Sequence, residues 1–112
     1  MSERAVTLPP QRDNLQALEK RFAELAERWR EEVMFLSSMT QMVQHPAYQQ
    51  IIGLGPQVIP LLLRELENDP DYWFDALQEL TGANPVHPEE QGNLDKMAAT
   101  WLQWGREQRY RW

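Results

Sequence analysis

The sequence predicts an all-α fold of about five helices, with a longer N-terminal helix followed by antiparallel helical hairpins in one small domain. Apolar residues recur at intervals of three and four, as they do along one face of a helix. Proline and glycine punctuate the centre of the chain, where they mark the starts and ends of short helices. Val and Thr are scarce and no alternating β-branched run is present, so β-strands are not expected.

The first helix is predicted from the N-cap Asp13 to about Val33, after a flexible leader at residues 1–12. A stripe of apolar residues either packs on the rest of its own domain or forms the seam of a homodimer or a partner-helix coiled coil. Two heptads are short for a coiled coil, so packing within the domain is favoured. The N-terminal stripe comprises Leu15, Leu18, Phe22, Leu25 and Trp29.

A short second helix is predicted near residues 39–44, with Ser37 or Ser38 as its N-cap. Because methionine side chains adapt their shape, three of them close together can form a binding groove. Ordinary filling of the core is the favoured interpretation. The apolar residues of this segment are Met34, Phe35, Leu36, Met39, Met42 and Val43.

Tight turns separate the next three predicted helices. Pro46 and Gly53 delimit the first, Pro56 begins the second, and Pro70 and Gly82 delimit the third. Turns this short predict that sequential helices lie antiparallel. A last helix is predicted from residue 94 to about residue 106, which completes a helical domain at residues 13–106.

The end of the chain, with a tail at residues 107–112, is basic and aromatic. Arginine and aromatic side chains can contact phosphates and stack on bases, which would make nucleic acid a partner. The net charge of −6 opposes this, so a frayed tail is favoured, with a contact to a partner protein as the next alternative. The candidate contact residues are Arg106, Arg109, Tyr110, Arg111 and Trp112.

Negative charge is concentrated in the centre of the chain, where residues 34–90 carry eight acidic residues and one basic residue. Asp71, Asp75 and Glu79 are spaced four apart on one helix face, where each like-charge pair costs about 0.2–0.5 kcal/mol. This is either an ordinary solvated face or a docking surface for a basic protein. The candidate partner-binding residues are Glu65, Glu67, Asp69, Asp71, Asp75, Glu79, His87, Glu89 and Glu90.

Composition and motifs exclude several function classes. Cysteine is absent, which excludes disulfides, Cys-ligated metals and thiol nucleophiles. His45 and His87 lie in no metal-binding spacing, and neither a phosphate-binding loop nor a nucleophile elbow is present. No segment has the apolar length of a signal peptide or a membrane span. We therefore expect a cytoplasmic protein that is not an enzyme and binds no metal, cofactor or membrane.

The segment IIGLGPQVIPLLLRELEND, at residues 51–69, resembles the second half of a HEAT-type repeat. This resemblance implies HEAT-like helical hairpins, whose apolar faces must be covered by flanking helices. A broader pattern over about residues 28–106 resembles a family of small bacterial proteins without an assigned activity. It comprises W-R-E-E at Trp29–Glu32, F-L-S-S at Phe35–Ser38, H-P-A-Y-Q at His45–Gln49, G-L-G-P at Gly53–Pro56, R-E-L at Arg64–Leu66, W-F-x-A-L at Trp73–Leu77, T-G-x-N-P-V at Thr81–Val86 and M-A-x-x-W-L-x-W-G at Met97–Gly105.

The family resemblance implies no catalytic residues. Members of that family look like the small partners in two-gene arrangements, which implies an antitoxin, immunity or accessory role. Together with the acidic centre, this predicts a non-enzymatic protein-interaction module that binds a basic protein partner through an acidic helical face. The alternatives are a nucleic-acid-associated regulator and a self-associating structural protein built on the N-terminal stripe.

Overall fold

All of the regular structure in the computed structural model, which describes residues 11–112, is helical. The predicted all-α class is therefore confirmed for these residues, and the N-terminal helix is the longest. None of their helices combines the length and apolar character that crossing a bilayer requires. The helices are α1 (Gln11–Val33), α2 (Met39–Gln44), α3 (Pro46–Gly53), α4 (Ile59–Asn68), α5 (Phe74–Thr81) and α6 (Leu94–Glu107), with 3₁₀ turns at Pro56–Val58 and Pro88–Glu90.

The helix boundaries after α1 largely follow the predicted capping residues, except at the start of α5, which begins at Phe74 and not at the predicted Pro70. Ser38 and Asn93 accept hydrogen bonds from backbone N–H groups at the starts of α2 and α6, which satisfies donors that have no partner within the helix. Pro46 begins α3, where its missing N–H costs nothing. Gly82 ends α5 with φ of 73°, a left-handed conformation that glycine adopts without strain.

Helix α1 begins earlier than predicted. Residues 11–13 are helical, so Asp13 lies within the helix and is not its N-cap. Gln11 and Arg12 are good helix formers, and this preference competes with the modest advantage of an aspartate cap. Residues 1–10, the rest of the predicted leader, lie outside the described residues.

The N-terminal stripe packs into the domain over most of its length. Phe22, Leu25 and Trp29 are buried, and Leu18 is partly buried against the core. Leu15, at the other end of the stripe, is 52% exposed. The favoured interpretation of packing within the domain therefore holds from Leu18 onward, and the three buried side chains are not available as a homodimer seam.

An aromatic cluster ties α1, α3 and the start of α5 together. The ring of Trp73 lies 4.6 Å from that of Trp29, 5.7 Å from that of Tyr48 and 6.0 Å from that of Phe22, measured between centroids. Such pairs contribute about 0.5–1.5 kcal/mol each beyond the burial of their area. All four side chains are buried, so this cluster is the centre of the core.

The most extensive helix contacts join elements that are not consecutive in the chain. Helix α1 packs along α3, and α4 packs along α6, while α3 also contacts α2 and α5. The predicted HEAT-like arrangement requires close pairing of successive helices, and it stays a prediction. The consequence for function is that α2, α5 and the start of α6 are brought to one side of the core.

Candidate interaction surface

Arg30 of α1 forms ion pairs with two of the predicted partner-binding carboxylates. Its guanidinium donates a hydrogen bond to Glu65 and lies 3.6 Å from the carboxylate of Asp71. The same group stands over the ring of Trp73, 5.8 Å from the centroid, which adds a cation–π contact. Glu65 and Asp71 therefore hold α4 and the α4–α5 turn to α1, and they are not open for a partner.

The C-terminal segment engages a third carboxylate, Glu67. Arg106 approaches it at 3.3 Å, and the indole N–H of Trp112 donates to it at 3.1 Å. Tyr110 stacks on Trp104 with 5.8 Å between centroids. The favoured interpretation of a frayed tail is therefore wrong: the aromatic side chains, placed four and six residues beyond Arg106, fold back onto α4 and α6.

This packing also bears on the predicted contact residues of the tail. Two of its aromatic faces are used within the domain, by Tyr110 on Trp104 and by Trp112 against Arg106. One face of each ring is therefore already occupied within the domain. Arg109 and Arg111 remain exposed, which leaves two cations and no adjacent exposed ring.

Glu90 is held within the loop that precedes α6. Its carboxylate accepts hydrogen bonds from the backbone N–H of His87 at 3.0 Å and from the hydroxyl of Thr100 at 2.9 Å. The bond from His87 is the main reason that the pKa of the Glu90 carboxyl lies below its ordinary value, and the bond from Thr100 acts in the same direction. Glu90 therefore fastens the loop to α6, while His87 and Glu89 are exposed.

Four predicted carboxylates remain exposed and have no basic partner within the described residues: Asp69, Asp75, Glu79 and Glu89. Asp75 and Glu79 are one turn apart on α5, and together with Gln78 they line a shallow cleft of about 410 Å³. We call Asp75 and Glu79 the α5 acidic face. The eight carboxylates of the predicted set thus divide into four that are bonded within the domain and four that are open to solvent, and the ninth residue, His87, is exposed.

Exposed apolar side chains are concentrated between α1 and α2. Met34, Phe35 and Met39 are 67%, 88% and 43% exposed, so the prediction that they fill the core is wrong. Helix α1 ends at Val33, and beyond that point a spacing of three and four no longer keeps side chains on one face. The other apolar side chains of the segment pack against the core: Leu36, Met42 and Val43.

One of these exposed side chains borders an apolar groove. The groove has a volume of about 240 Å³ and lies between α2, α5 and the start of α6. Its polar rim includes Asp75 and Gln78, which also line the acidic cleft. We call it the Met39 groove; its apolar lining consists of Met39, Tyr72, Phe74, Leu94 and Met97.

Three hydrogen bonds made by Trp29 and Tyr48 set the position of this groove. The Trp29 indole N–H donates to the carbonyl of Met42 at 2.7 Å, which fixes α2 on α1. The Tyr48 hydroxyl donates to the carbonyl of Tyr72 at 3.0 Å and accepts from the N–H of Ala76 at 2.9 Å. The first turn of α5 is thereby anchored to α3, so both walls of the groove rest on the aromatic cluster.

The other polar clusters have structural explanations. A cleft of about 380 Å³ between α1 and α4 holds Arg30 and Arg64, but these pair with Glu65 and, at 2.9 Å, with Glu19. His45 caps α3 through Nδ1, and its Nε2 lies 2.7 Å from Glu32. This hydrogen bond lowers the pKa of the Glu32 carboxyl.

The described residues contain no group of three or more His, Asp or Glu placed to hold a metal ion. Neither a family model, nor a curated protein, nor a solved structure matches the chain. The resemblances to a HEAT-type repeat and to a family of small bacterial proteins therefore stay predictions.

Proposed function

We propose that the protein is a non-enzymatic interaction module that binds a basic protein partner through the α5 acidic face. The observation that carries this proposal is the contrast among neighbouring carboxylates. Glu65, Glu67 and Asp71 are held by arginines of the same chain, whereas Asp75 and Glu79 face solvent. Two carboxylates one turn apart repel each other when no basic residue among those described lies beside them, so a partner that supplies cations would relieve that cost.

The distribution of basic residues supports the same proposal. No Lys or Arg occurs in the sequence between Arg64 and Lys96, so the chain supplies no cation near α5 from that stretch. A surface of one sign attracts ligands of opposite charge and increases the rate of encounter. The best candidate partner is therefore a protein with a cluster of Lys and Arg on its surface.

The absence of a reactive side-chain arrangement in the described residues supports a binding role over catalysis. His45 caps α3 and contacts Glu32. In the α1–α4 cleft, Arg30 pairs with Glu65 and Arg64 pairs with Glu19. The proposed biological setting follows from the family resemblance: an antitoxin, immunity or accessory protein of the bacterial cytoplasm that inhibits or scaffolds its partner.

Pull-down from native lysate at low salt tests this proposal. Three forms of the full chain are used as bait: the wild type, the double variant Asp75→Lys/Glu79→Lys, and a control double variant Glu24→Lys/Glu31→Lys. Glu24 and Glu31 are exposed on α1, so the control changes the net charge equally at another place. Asp71 is left unchanged because its loss would disturb Arg30.

A basic protein that the wild type and the control retain, and that the α5 variant loses, is the expected result. Its affinity should then be measured with the purified pair at two salt concentrations, and it should weaken at the higher one. Equal retention by all three baits would contradict the α5 acidic face as the binding surface. Recovery of nucleic acid alone, removable by nuclease, would favour the regulator that the sequence leaves as an alternative.

A further inference from the structure

The Met39 groove and the acidic cleft form one continuous surface along α5. Asp75 and Gln78 line both cavities, with apolar side chains on one side of them and Glu79 on the other. A ligand lying along α5 would therefore meet an apolar pocket with Asp75 on its rim, and then Glu79 one turn further along the helix. This order of apolar and acidic groups is complementary to a segment that carries an apolar side chain next to Lys or Arg.

We propose that this combined surface binds a short basic amphipathic segment of a partner protein. An apolar side chain of the segment enters the Met39 groove, and its Lys or Arg side chains lie on Asp75 and Glu79. The inference rests on the proposed function and names the kind of segment that the partner presents. An amphipathic helix laid into an apolar groove is a common mode of peptide recognition.

The composition of the groove suits this occupant. Met39 and Met97 line it, and methionine adapts to differently shaped apolar side chains at little cost. Met39 is 43% exposed, so a ligand would remove apolar surface from water, which is the main favourable contribution to such binding. Its volume of about 240 Å³ accommodates one or two side chains rather than a whole domain.

Charge argues against a second copy of this chain as the occupant. Two copies, each with a net charge of −6, repel each other, and the acidic face would meet a chain that is itself rich in acid. The basic C-terminal tail has a suitable sign, but its rings already pack within the domain. A separate basic partner is therefore the better complement.

Fluorescence anisotropy with a labelled synthetic probe tests the inference. The probe is an 18-residue peptide of leucine and lysine, patterned as an amphipathic helix. Two control peptides carry serine in place of leucine, or glutamate in place of lysine. The full chain is titrated as the wild type, as the groove variant Met39→Ser, as its control Leu15→Ser, and as the acidic-face variant Asp75→Asn/Glu79→Gln.

The controls are matched to the substitution that they check. Leu15 and Met39 are both about half exposed, so neither change to serine removes a core side chain. Leu15 also lies far from the end of α1 at Val33, after which the chain continues to Met39. The 18 positions between Leu15 and Val33 span about 27 Å of helix at 1.5 Å per residue. Circular dichroism of each variant tests whether the helical fold is retained.

Saturable binding of the leucine–lysine probe is the expected result. The Met39→Ser change should weaken it by about tenfold, the loss expected when a large apolar side chain leaves a packed contact, while Leu15→Ser leaves it unchanged. The acidic-face variant should also weaken binding, and more strongly at low salt than at high salt. Neither control peptide should match the affinity of the probe.

Several outcomes would overturn the inference. If the serine–lysine peptide binds as tightly as the probe, or if Met39→Ser has no effect, the groove takes no part, and the electrostatic proposal alone survives. If the glutamate peptide binds equally well, the acidic face is irrelevant and the proposed function fails with it. If the wild type self-associates in light scattering and Met39→Ser is a monomer, the occupant is a second copy. If the probe does not bind at all, the inference is also rejected. The proposed function is then tested separately, by the pull-down with the Asp75→Lys/Glu79→Lys variant.

Discussion

Tyr48 shows how much of the fold depends on one polar atom in an apolar core. Its side chain is completely buried, and its hydroxyl bridges the carbonyl of Tyr72 and the N–H of Ala76. A buried polar group that loses its hydrogen-bond partner costs about 1–3 kcal/mol. The hydroxyl therefore both stabilises the domain and holds the wall of the groove that carries Phe74.

We predict that Tyr48→Phe lowers the free energy of unfolding by about 1–3 kcal/mol, because the N–H of Ala76 and the carbonyl of Tyr72 lose their partner. Urea denaturation followed by circular dichroism measures the change. Tyr110→Phe provides the control, since the Tyr110 ring stacks on Trp104 and the structure gives its hydroxyl no hydrogen bond in the described residues. Equal stability of Tyr48→Phe and the wild type would show that the bridge contributes nothing.

Alkaline pH provides a second prediction about the same residue. Burial raises the pKa of the Tyr48 hydroxyl well above its ordinary value, with Asp75 and Asp71 acting in the same direction. The folded state therefore resists deprotonation, so the stability from Tyr48 is complete below the unfolded pKa of about 10 and decreases as pH rises above it. Unfolding free energies measured at pH 8 and at about pH 11 should fall more in the wild type than in Tyr48→Phe. Parallel decreases would contradict the raised pKa.

At the scale of single elements, α1 has two regions with different roles. Leu25 is buried in the core, whereas Leu15 lies half exposed on the same stripe. We predict that Leu25→Ala costs about 2–5 kcal/mol, as expected for a large-to-small change in a core. Leu15→Ala should change stability by less than about 0.5 kcal/mol, as expected for a surface position. Thermal and urea unfolding of both variants measure the contrast.

A self-association test completes this comparison for α1. If the N-terminal stripe were a dimer seam, Leu25→Asp would give a folded monomer. Because Leu25 packs inside the domain, we expect Leu25→Asp to unfold the protein instead. Light scattering at two concentrations, together with circular dichroism, distinguishes a folded monomer from an unfolded chain.

The C-terminal segment is a second element whose role can be measured. Removal of residues 109–112 deletes the stack of Tyr110 on Trp104 and the bond from Trp112 to Glu67. We predict a loss of about 1–2 kcal/mol, since an aromatic pair alone contributes about 0.5–1.5 kcal/mol. A frayed tail would give no change. Arg111→Ser serves as the control, because Arg111 is exposed and its loss should be close to neutral.

For the whole molecule, local sequence signals predicted the fold better than the surface. Proline, glycine and capping residues act on their own helix, so the boundaries near Pro46 and Gly82 were predictable. Pairing of charges is a tertiary property: Arg30 lies 35 residues before Glu65, and Glu67 lies 39 residues before Arg106. No spacing rule connects positions so far apart, and the sequence therefore could not show which carboxylates stay open.

The Met39 groove was missed for a similar reason. Three methionines close together suggested a binding groove, but the favoured interpretation placed them in the core. The turn after Val33 exposes Met34 and Met39, and helices that are distant in sequence supply Phe74 and Met97. Two large apolar residues, Met34 and Phe35, directly follow the end of α1 at Val33. This is the signal in the sequence that could have indicated an exposed apolar patch.

The aromatic cluster has a consequence for spectroscopy. Trp29 and Trp73 are buried with 4.6 Å between their rings, and Trp101 is also buried, in edge contact with Trp104 at 5.2 Å. Indoles fixed this close together in an asymmetric apolar environment give strong near-ultraviolet dichroism, and their emission lies at short wavelength. The domain thus contains an intrinsic optical probe of its own core, whose signal reports directly whether a surface variant has kept native packing.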